Sequence, residues 1–252
     1  MSIPVKAYYI NFDKDVARRK SIEQMLNRLK IEYSRIPVIK YSEIPDEDMK
    51  MFNKYSSSLS PAEISLFYNH IRAWKQGLAE GYNHVLVMED DIITYIDKKV
   101  FPRMINEAFT KLTFDILYLG KCLDTCSLYE HQFGRVYKTY TPYCTHAYIL
   151  SADTIKSVLQ ENLTKPFVKP VDNHLRDRVN SGQYTAYVFH PSIFVQDVVR
   201  FESRVRNKLT GLNNIIECAD NIPNDSGQNG IYVAIIVVIV LVVIIMVWVI
   251  NR

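Results

Sequence analysis

Strands and helices of ordinary length alternate along most of this 252-residue chain, which predicts an α/β domain on a mostly parallel, doubly wound sheet. Three observations carry that class. Ala7 to Ile39 reads as a βαβ unit, the apolar run Val85-Leu86-Val87-Met88 breaks off into Glu89-Asp90-Asp91, and 48% of the residues are hydrophobic, enough for a sizeable core. A further stretch, Ile231 to Ile250, holds twenty residues without a charge and would span roughly 30 Å as a helix, about one bilayer core. It predicts a C-terminal transmembrane helix behind the α/β domain.

The elements follow in order. Ala7 to Phe12 predicts the first strand, and Asp15 to Leu29 a helix with Ala17, Ile22, Met25, Leu26 and Leu29 on one face. A second strand, Tyr33 to Ile39, completes the unit. After a polar excursion through Ser42 to Ser58, Ser60-Pro61-Ala62-Glu63 forms a capping box with proline at the first helical position. Ile64, Phe67, Ile71, Trp74 and Leu78 then recur at helical spacing until Gly81, placed to end the helix in a left-handed conformation. The acidic strand comes next. Phe101 to Leu112 predicts a helix, Asp115 to Leu119 a strand ended by Gly120, and the segments around Val136 and His146 to Leu150 further strands. Ser151 caps another helix, Val168 to Pro170 is extended, Asp172 to Val179 is helical, and Thr185 to Phe189 is the last strand. The expected domains are 1–206, a flexible Asn-, Asp- and Gly-rich linker at 207–230, and the span at 231–250.

Composition narrows the function. Thirty basic and 27 acidic residues leave a formal charge of +3, with no basic block to track a phosphate backbone, so nucleic-acid binding is not expected. Cys122, Cys126, Cys144 and Cys218 lack CxxC spacing and read as ordinary thiols rather than zinc ligands. Met1 to Lys6 shows no secretory pattern, so the expectation is a single-pass C-terminal anchor with the preceding domain on the cytosolic side. The sequons Asn162-Leu163-Thr164 and Asn224-Asp225-Ser226 would matter only for a lumenal domain.

Glu89-Asp90-Asp91 is the most informative motif. Three adjacent anions at a strand end need a cation, and carboxylates suit Mg²⁺ or Mn²⁺, ions that keep positions open for substrate phosphates. The alternative is three acids facing solvent. Ligands of doubly wound sheets bind beyond the carboxyl ends of the strands, where this motif falls.

Several segments together resemble glycosyltransferase family 25, which includes bacterial lipooligosaccharide galactosyltransferases and procollagen galactosyltransferase domains. They are Tyr9-Ile10-Asn11-Phe12 with Asp15 and Arg18-Arg19, then Leu59 to Ile64 through His70 and Trp74 into the acidic strand, then Cys144 to Ser151 with Pro170-Val171-Asp172, and finally Pro191 to Gln196. Their order over roughly residues 7 to 200 is what makes the match specific. Asn69, where the family tends to have serine, and the Ser65-Leu66 step depart from it.

The resemblance implies a GT-A-type nucleotide-sugar fold, a UDP-sugar donor, Mn²⁺ or Mg²⁺, and inverting transfer of a hexose, galactose or glucose, to a glycan, lipid-linked or protein hydroxyl. The metal would be held by Asp91 assisted by Glu89, with Asp90 on the opposite side of the strand facing the donor ribose. Arg18 and Arg19 supply forked donors to the donor, or form a solvated helix face. Asn11 is a nucleotide contact or a turn former. Asp172 is the expected base, its rival role a helix cap, with Asp197 and Glu202 in reserve. His190 would complete the metal shell or be structural, and His70 would line the acceptor cleft or bond a neighbouring group. Glu63 is explained by capping. Among the seventeen tyrosines some would stack on sugar rings. A non-catalytic binding protein of the same fold is the competing reading. A nucleotidyltransferase or phosphohydrolase is disfavoured by only eight glycines and no GxGxxG or GxxxxGKS pattern.

Overall fold

A computed structural model describes residues 3–52, 59–201 and 216–221. Residues up to Ala219 form one compact unit, and a second begins at Asp220. The predicted transmembrane helix at 231–250 lies outside the described residues. Among the described residues no helix is long and apolar enough to cross a membrane.

The chain forms β1 (Lys6–Asn11), α1 (Val16–Leu29), β2 (Tyr33–Pro37), a short α2 (Asp46–Met49), α3 (Pro61–Ala79), β3 (His84–Glu89), β4 (Ile92–Ile93), α4 (Phe101–Lys111) and β5 (Ile116–Cys122). There follow β6 (Glu130–Phe133), β7 (Val136–Thr139), β8 (Tyr143–Ser151), α5 (Ala152–Asn162), α6 (Val171–Asn180), β9 (Ala186–Phe189) and β10 (Val195–Gln196). The main sheet runs β2-β1-β3-β8-β5-β9-β7-β6, and β4 pairs with β10 in a separate two-stranded sheet. The pairs β1–β2, β1–β3 and β5–β9 are parallel, whereas β3–β8, β5–β8, β6–β7 and β7–β9 are antiparallel. Six of the eight strands therefore point one way, and β7 and β8 run against them. β8 lies between β3 and β5, which makes the sheet mixed where sequence alternation predicted parallel neighbours.

Both faces are covered. One carries α3, α5 and α6 on a core that includes Phe67, Trp74, Val85, Val87, Tyr148, Val158 and Leu175, and the other carries α1 and α4 on Ile22, Leu26, Leu86, Met88, Phe101 and Phe194. Successive residues of β3 feed opposite cores, which is the two-fold alternation of a doubly covered strand.

The predicted caps form. Ser60 Oγ accepts from the Glu63 N–H while Glu63 returns the bond to the Ser60 N–H, and Gly81 follows α3 at φ +82°. Ser151 accepts from the Thr154 N–H at the start of α5. Gly120 departs from expectation: β5 continues through it to Cys122. A Cβ there would fall 2.2 Å from His146 Nε2 and 2.5 Å from the Phe194 carbonyl, so this glycine allows close packing instead of ending the strand.

Two further expectations are corrected. All four cysteines pair, Cys122 with Cys144 and Cys126 with Cys218. Their wide spacing concealed this, because only tertiary contact brings partners 22 and 92 residues apart together. The assumed linker is also not a free tether throughout. Leu123 and Asp124 donate backbone bonds to the carbonyls of Ile216 and Glu217, and the Ala219 N–H donates to Asp124, so 216–219 dock on the domain beyond the expected boundary at 206.

Candidate active site

The carboxyl ends of β1 and β3 deliver Asn11 and Glu89-Asp90-Asp91 to one corner, and the first turn of α1 brings Arg18. Arg18 and Arg19 were expected as donor contacts or as a solvated helix face, and Ala17 inside; the structure buries Arg18 and exposes Ala17. The reason is electrostatic. Arg18 Nη1 donates to Asp90 Oδ1 at 3.1 Å and Asp91 Oδ2 at 3.2 Å, and its guanidinium lies 5.2 Å from the Phe201 ring centre. Asn11 Nδ2 donates to Asp90 Oδ2 at 2.7 Å and to the Asp15 carbonyl at 3.3 Å.

Strand alternation was expected to put Glu89 and Asp91 on one side and Asp90 on the other. β3 ends at Glu89, and beyond it the backbone turns so that Asp90 and Asp91 share Arg18. Glu89 continues the face of Val85 and Val87. Burial raises its pKa well above the usual carboxylate range, and the charges of Asp91, Asp90 and Asp172 push it the same way. Burial likewise raises Asp90 despite Asn11 and Arg18, and raises Asp91 despite Arg18. Arg18 is held charged because the two aspartates outweigh its own burial. One oxygen, Asp91 Oδ1, is buried with no hydrogen-bond partner. Such an atom calls for a donor or a cation.

A cleft opens over this corner. Ile10, Phe12, Arg18 and the three acids line one side, and Ala62, Ser65, Leu66 and Asn69 of α3 the other. Asn69 fixes that wall: its amide donates to the Ile39 and Ser65 carbonyls at 2.9 and 2.7 Å and accepts from the Ile39 N–H at 3.0 Å. Ser65 Oγ adds a bond to the Ile39 carbonyl at 2.8 Å. The two departures from the family pattern thus tie the end of β2 to α3, and sequence reading gave them no such role.

The remaining predicted residues divide. Asp172, half-buried in the first turn of α6, is near enough to Glu89 to raise it, and its Oδ1 accepts from the Asn173 N–H at 2.8 Å. It is not the N-cap, a position taken by Pro170. Arg19 lies beside Arg18 but only partly buried, and its side chain reaches neither aspartate. His70 does not line the cleft: it is wholly enclosed, stacked on Tyr148, and its Nδ1 bonds the Tyr148 hydroxyl at 2.8 Å. That hydroxyl also accepts from Trp74 Nε1, and burial pushes the imidazole down to about 3. His70 is a neutral core residue. His190 is bonded to Glu217 rather than to the acids, Asp197 accepts from the Arg200 backbone and side chain, and Glu202 lies outside the described residues.

Gln196 was missed. The β4–β10 pairing sets it against Ile92, the Asp197 N–H donates to the Asp91 carbonyl at 2.7 Å, and Gln196 hydrogen-bonds the Asp91 carboxylate. A two-residue strand leaves no periodicity to detect.

Comparison with known proteins accords with this corner. Residues 5–175 match the family model described as glycosyltransferase family 25 (LPS biosynthesis protein). A glycosyltransferase 25 family member of Drosophila melanogaster is 24% identical over 186 residues, 68% of this chain and 30% of that protein. The inactive glycosyltransferase 25 family member 3 of Mus musculus is 30% identical over 156 residues, 58% of this chain and 25% of that protein. The chain thus spans less than a third of these relatives. Solved structures with partial likeness include a glycosyltransferase involved in the glycosylation of the major capsid of PBCV-1, at 11% identity and TM-score 0.36 over 63% of this chain and 65% of that one. UDP-glucose pyrophosphorylase complexed with UDP-glucose is another, at 11% identity and TM-score 0.38 over 73% of this chain and 72% of that one. With the match covering the β1–α1 arginine, the α3 wall and the acidic strand end, the chain belongs to glycosyltransferase family 25.

Proposed function

We propose that this chain is a metal-dependent, inverting glycosyltransferase of the GT-A type that moves a hexose, galactose or glucose, from a UDP-sugar to a hydroxyl of a glycan, lipid-linked or protein acceptor. The observation that carries the reading is the meeting of Asn11, Arg18, Asp90 and Asp91 at the carboxyl ends of β1 and β3, with Asp91 Oδ1 buried and without a partner.

The residues suit a hard divalent ion. Asp90 and Asp91 would hold Mn²⁺ or Mg²⁺ through carboxylate oxygens, with Glu89 in support, and the ion would neutralise the diphosphate that builds charge as the glycosyl bond breaks. Arg18, which bridges both aspartates, would offer its remaining forked donors to the donor phosphates. Asn11 fixes the Asp90 carboxylate and would itself contact the nucleoside. Gln196 holds Asp91. Asp172, in the first turn of α6 and near enough to Glu89 to raise it, would take the proton of the acceptor hydroxyl.

A second reading is favoured by one observation, that a relative 30% identical over 156 residues is described as inactive. The chain would then keep the donor cleft without turnover. The membrane tether at 231–250 and the cytosolic side remain part of the proposal, although two disulfides persist most readily in oxidising compartments.

The test is release of UDP from a panel of UDP-sugars by the full chain, with and without Mn²⁺, against Asp91→Asn. Donor-specific, Mn²⁺-dependent release lost in the variant is the expected result. Metal-dependent UDP binding without release, whatever acceptor is supplied, would favour the silent reading, and neither binding nor release would sink both.

A further inference from the structure

A second cluster lies further along the carboxyl end of the sheet, where the turn after β5, the end of β9 and segment 216–219 converge. Ligand atoms of Cys126, His190 and Cys218 lie within 4.8 Å of one another, and the two sulfurs are joined as a disulfide. His190 Nδ1 lies 2.8 Å from Glu217 Oε2. A carboxylate only accepts, so Nδ1 carries a proton and Nε2 is the nitrogen left to ligate a metal, the arrangement that orients a metal-binding imidazole. The other oxygen of Glu217 accepts from the Ser192 N–H at 2.7 Å, which fixes the carboxylate. Lys121, fully buried, places its ammonium 3.7 Å from Cys126 Sγ and 3.2 Å from the Glu217 carbonyl, and a buried cation beside a sulfur favours thiolate over thiol.

We propose that reduction of the Cys126–Cys218 disulfide converts this corner into a site for a thiophilic divalent cation, Zn²⁺, ligated by both sulfurs and His190, with Glu217 holding the histidine and the fourth position open. The reductant is a dithiol. By exchange it gives two electrons and two protons to the Cys126–Cys218 bond and becomes a disulfide itself; Zn²⁺ then displaces the two thiol protons to solvent. Two thiolates and Glu217 against Zn²⁺ and Lys121 leave the buried corner neutral. The sulfurs must part to about 3.8 Å, the edge of a tetrahedron with Zn–S bonds of about 2.3 Å. Side-chain rotation at Cys126 and Cys218 would supply that separation while segment 216–219 stays docked through its backbone bonds to Leu123 and Asp124. The consequence is mechanical. Segment 216–219 stays fastened to the domain under oxidising conditions by a covalent bond and under reducing conditions by a metal.

The full chain, reduced with a trialkylphosphine, is titrated with Zn²⁺ against a chromogenic chelator, and with Co²⁺ to read the thiolate charge-transfer band that a carboxylate site cannot produce. One equivalent with that band is expected for reduced wild type and for Cys122→Ser/Cys144→Ser, and none for the oxidised protein. Glu217→Gln, which keeps both cysteines, should weaken binding about 10- to 100-fold. Circular dichroism of each variant separates lost ligation from lost folding. The proposal is overturned if reduced wild type shows no thiolate band, if Cys126→Ser/Cys218→Ser binds as tightly as wild type, or if removing Cys122 and Cys144 abolishes the band in a folded protein.

Discussion

Two buried aspartate corners of this molecule share a residue type and differ in everything around it. Asp124, wholly enclosed, accepts from the Thr125 N–H, the Thr139 and Thr141 hydroxyls and the Tyr129 hydroxyl, all neutral donors. Both its oxygens are satisfied, and its backbone also anchors Glu217 and Ala219. Asp91, almost as deep, sits among other acids, shares Arg18 with Asp90, is met by Gln196 and still leaves one oxygen without a partner. The first corner is finished by its own chain, whereas the second leaves one buried oxygen unmet, as the proposed metal site requires. Satisfaction of the carboxylate, rather than its burial, is what sets Asp124 apart from Asp91.

The comparison can be broken by substitution. Asp124→Ala should cost about 3 kcal/mol, because it strands several buried donors, while leaving UDP affinity unchanged in the protein that folds. Asp91→Asn should do the reverse, shifting stability by less than about 1 kcal/mol, since it removes a repelled charge, and lowering transfer at least about 100-fold. Chemical denaturation and UDP-release assays on both proteins check the pair; similar stability losses in the two would erase the distinction.

Arg18 sharpens the contrast. Arg18→Ala leaves two buried carboxylates without their cation and should cost about 3–5 kcal/mol at neutral pH. Arg18→Lys should recover part of the stability but little of the donor affinity, because an ammonium cannot bridge both aspartates and a phosphate as a fork does. Denaturant midpoints and donor KM read the two effects separately.

His70 tests a smaller point. His70→Phe removes one buried hydrogen bond to Tyr148 and should cost about 1–2 kcal/mol with no change in acceptor KM. An acceptor-specific rise in KM would return His70 to the cleft.

The smallest effect belongs to the surface. Lys6 bonds Glu80 at 2.8 Å and, with Gln76 and Tyr8, holds its carboxyl down to about 2. A depressed carboxyl stabilises above its unfolded pKa and loses that contribution as pH falls through the folded one. Lys6→Ala should therefore reduce stability above about pH 5 by less than about 1 kcal/mol, and the two proteins should converge near pH 2, as urea midpoints across that range would show.

Much of this architecture is local and was readable in the chain. The capping box at Ser60-Pro61-Ala62-Glu63 satisfies its own backbone donors within four residues, and β3 announces itself by an unbroken apolar run, so α3 and the acidic strand end stand where their residues place them. Asn11, Arg18 and the acids were likewise legible as a set. What the sequence alone could not decide was set by contacts distant in the chain. The antiparallel course of β8 between β3 and β5, the turn after Glu89 that gives Asp90 and Asp91 the same arginine, the enclosure of His70 by Tyr148, and the pairing of four cysteines each depend on a partner far along the chain. Caps and periodicity are properties of a few successive residues and survive in any fold; register, charge sharing and disulfide pairing exist only once packing has brought remote side chains within a few ångströms of each other.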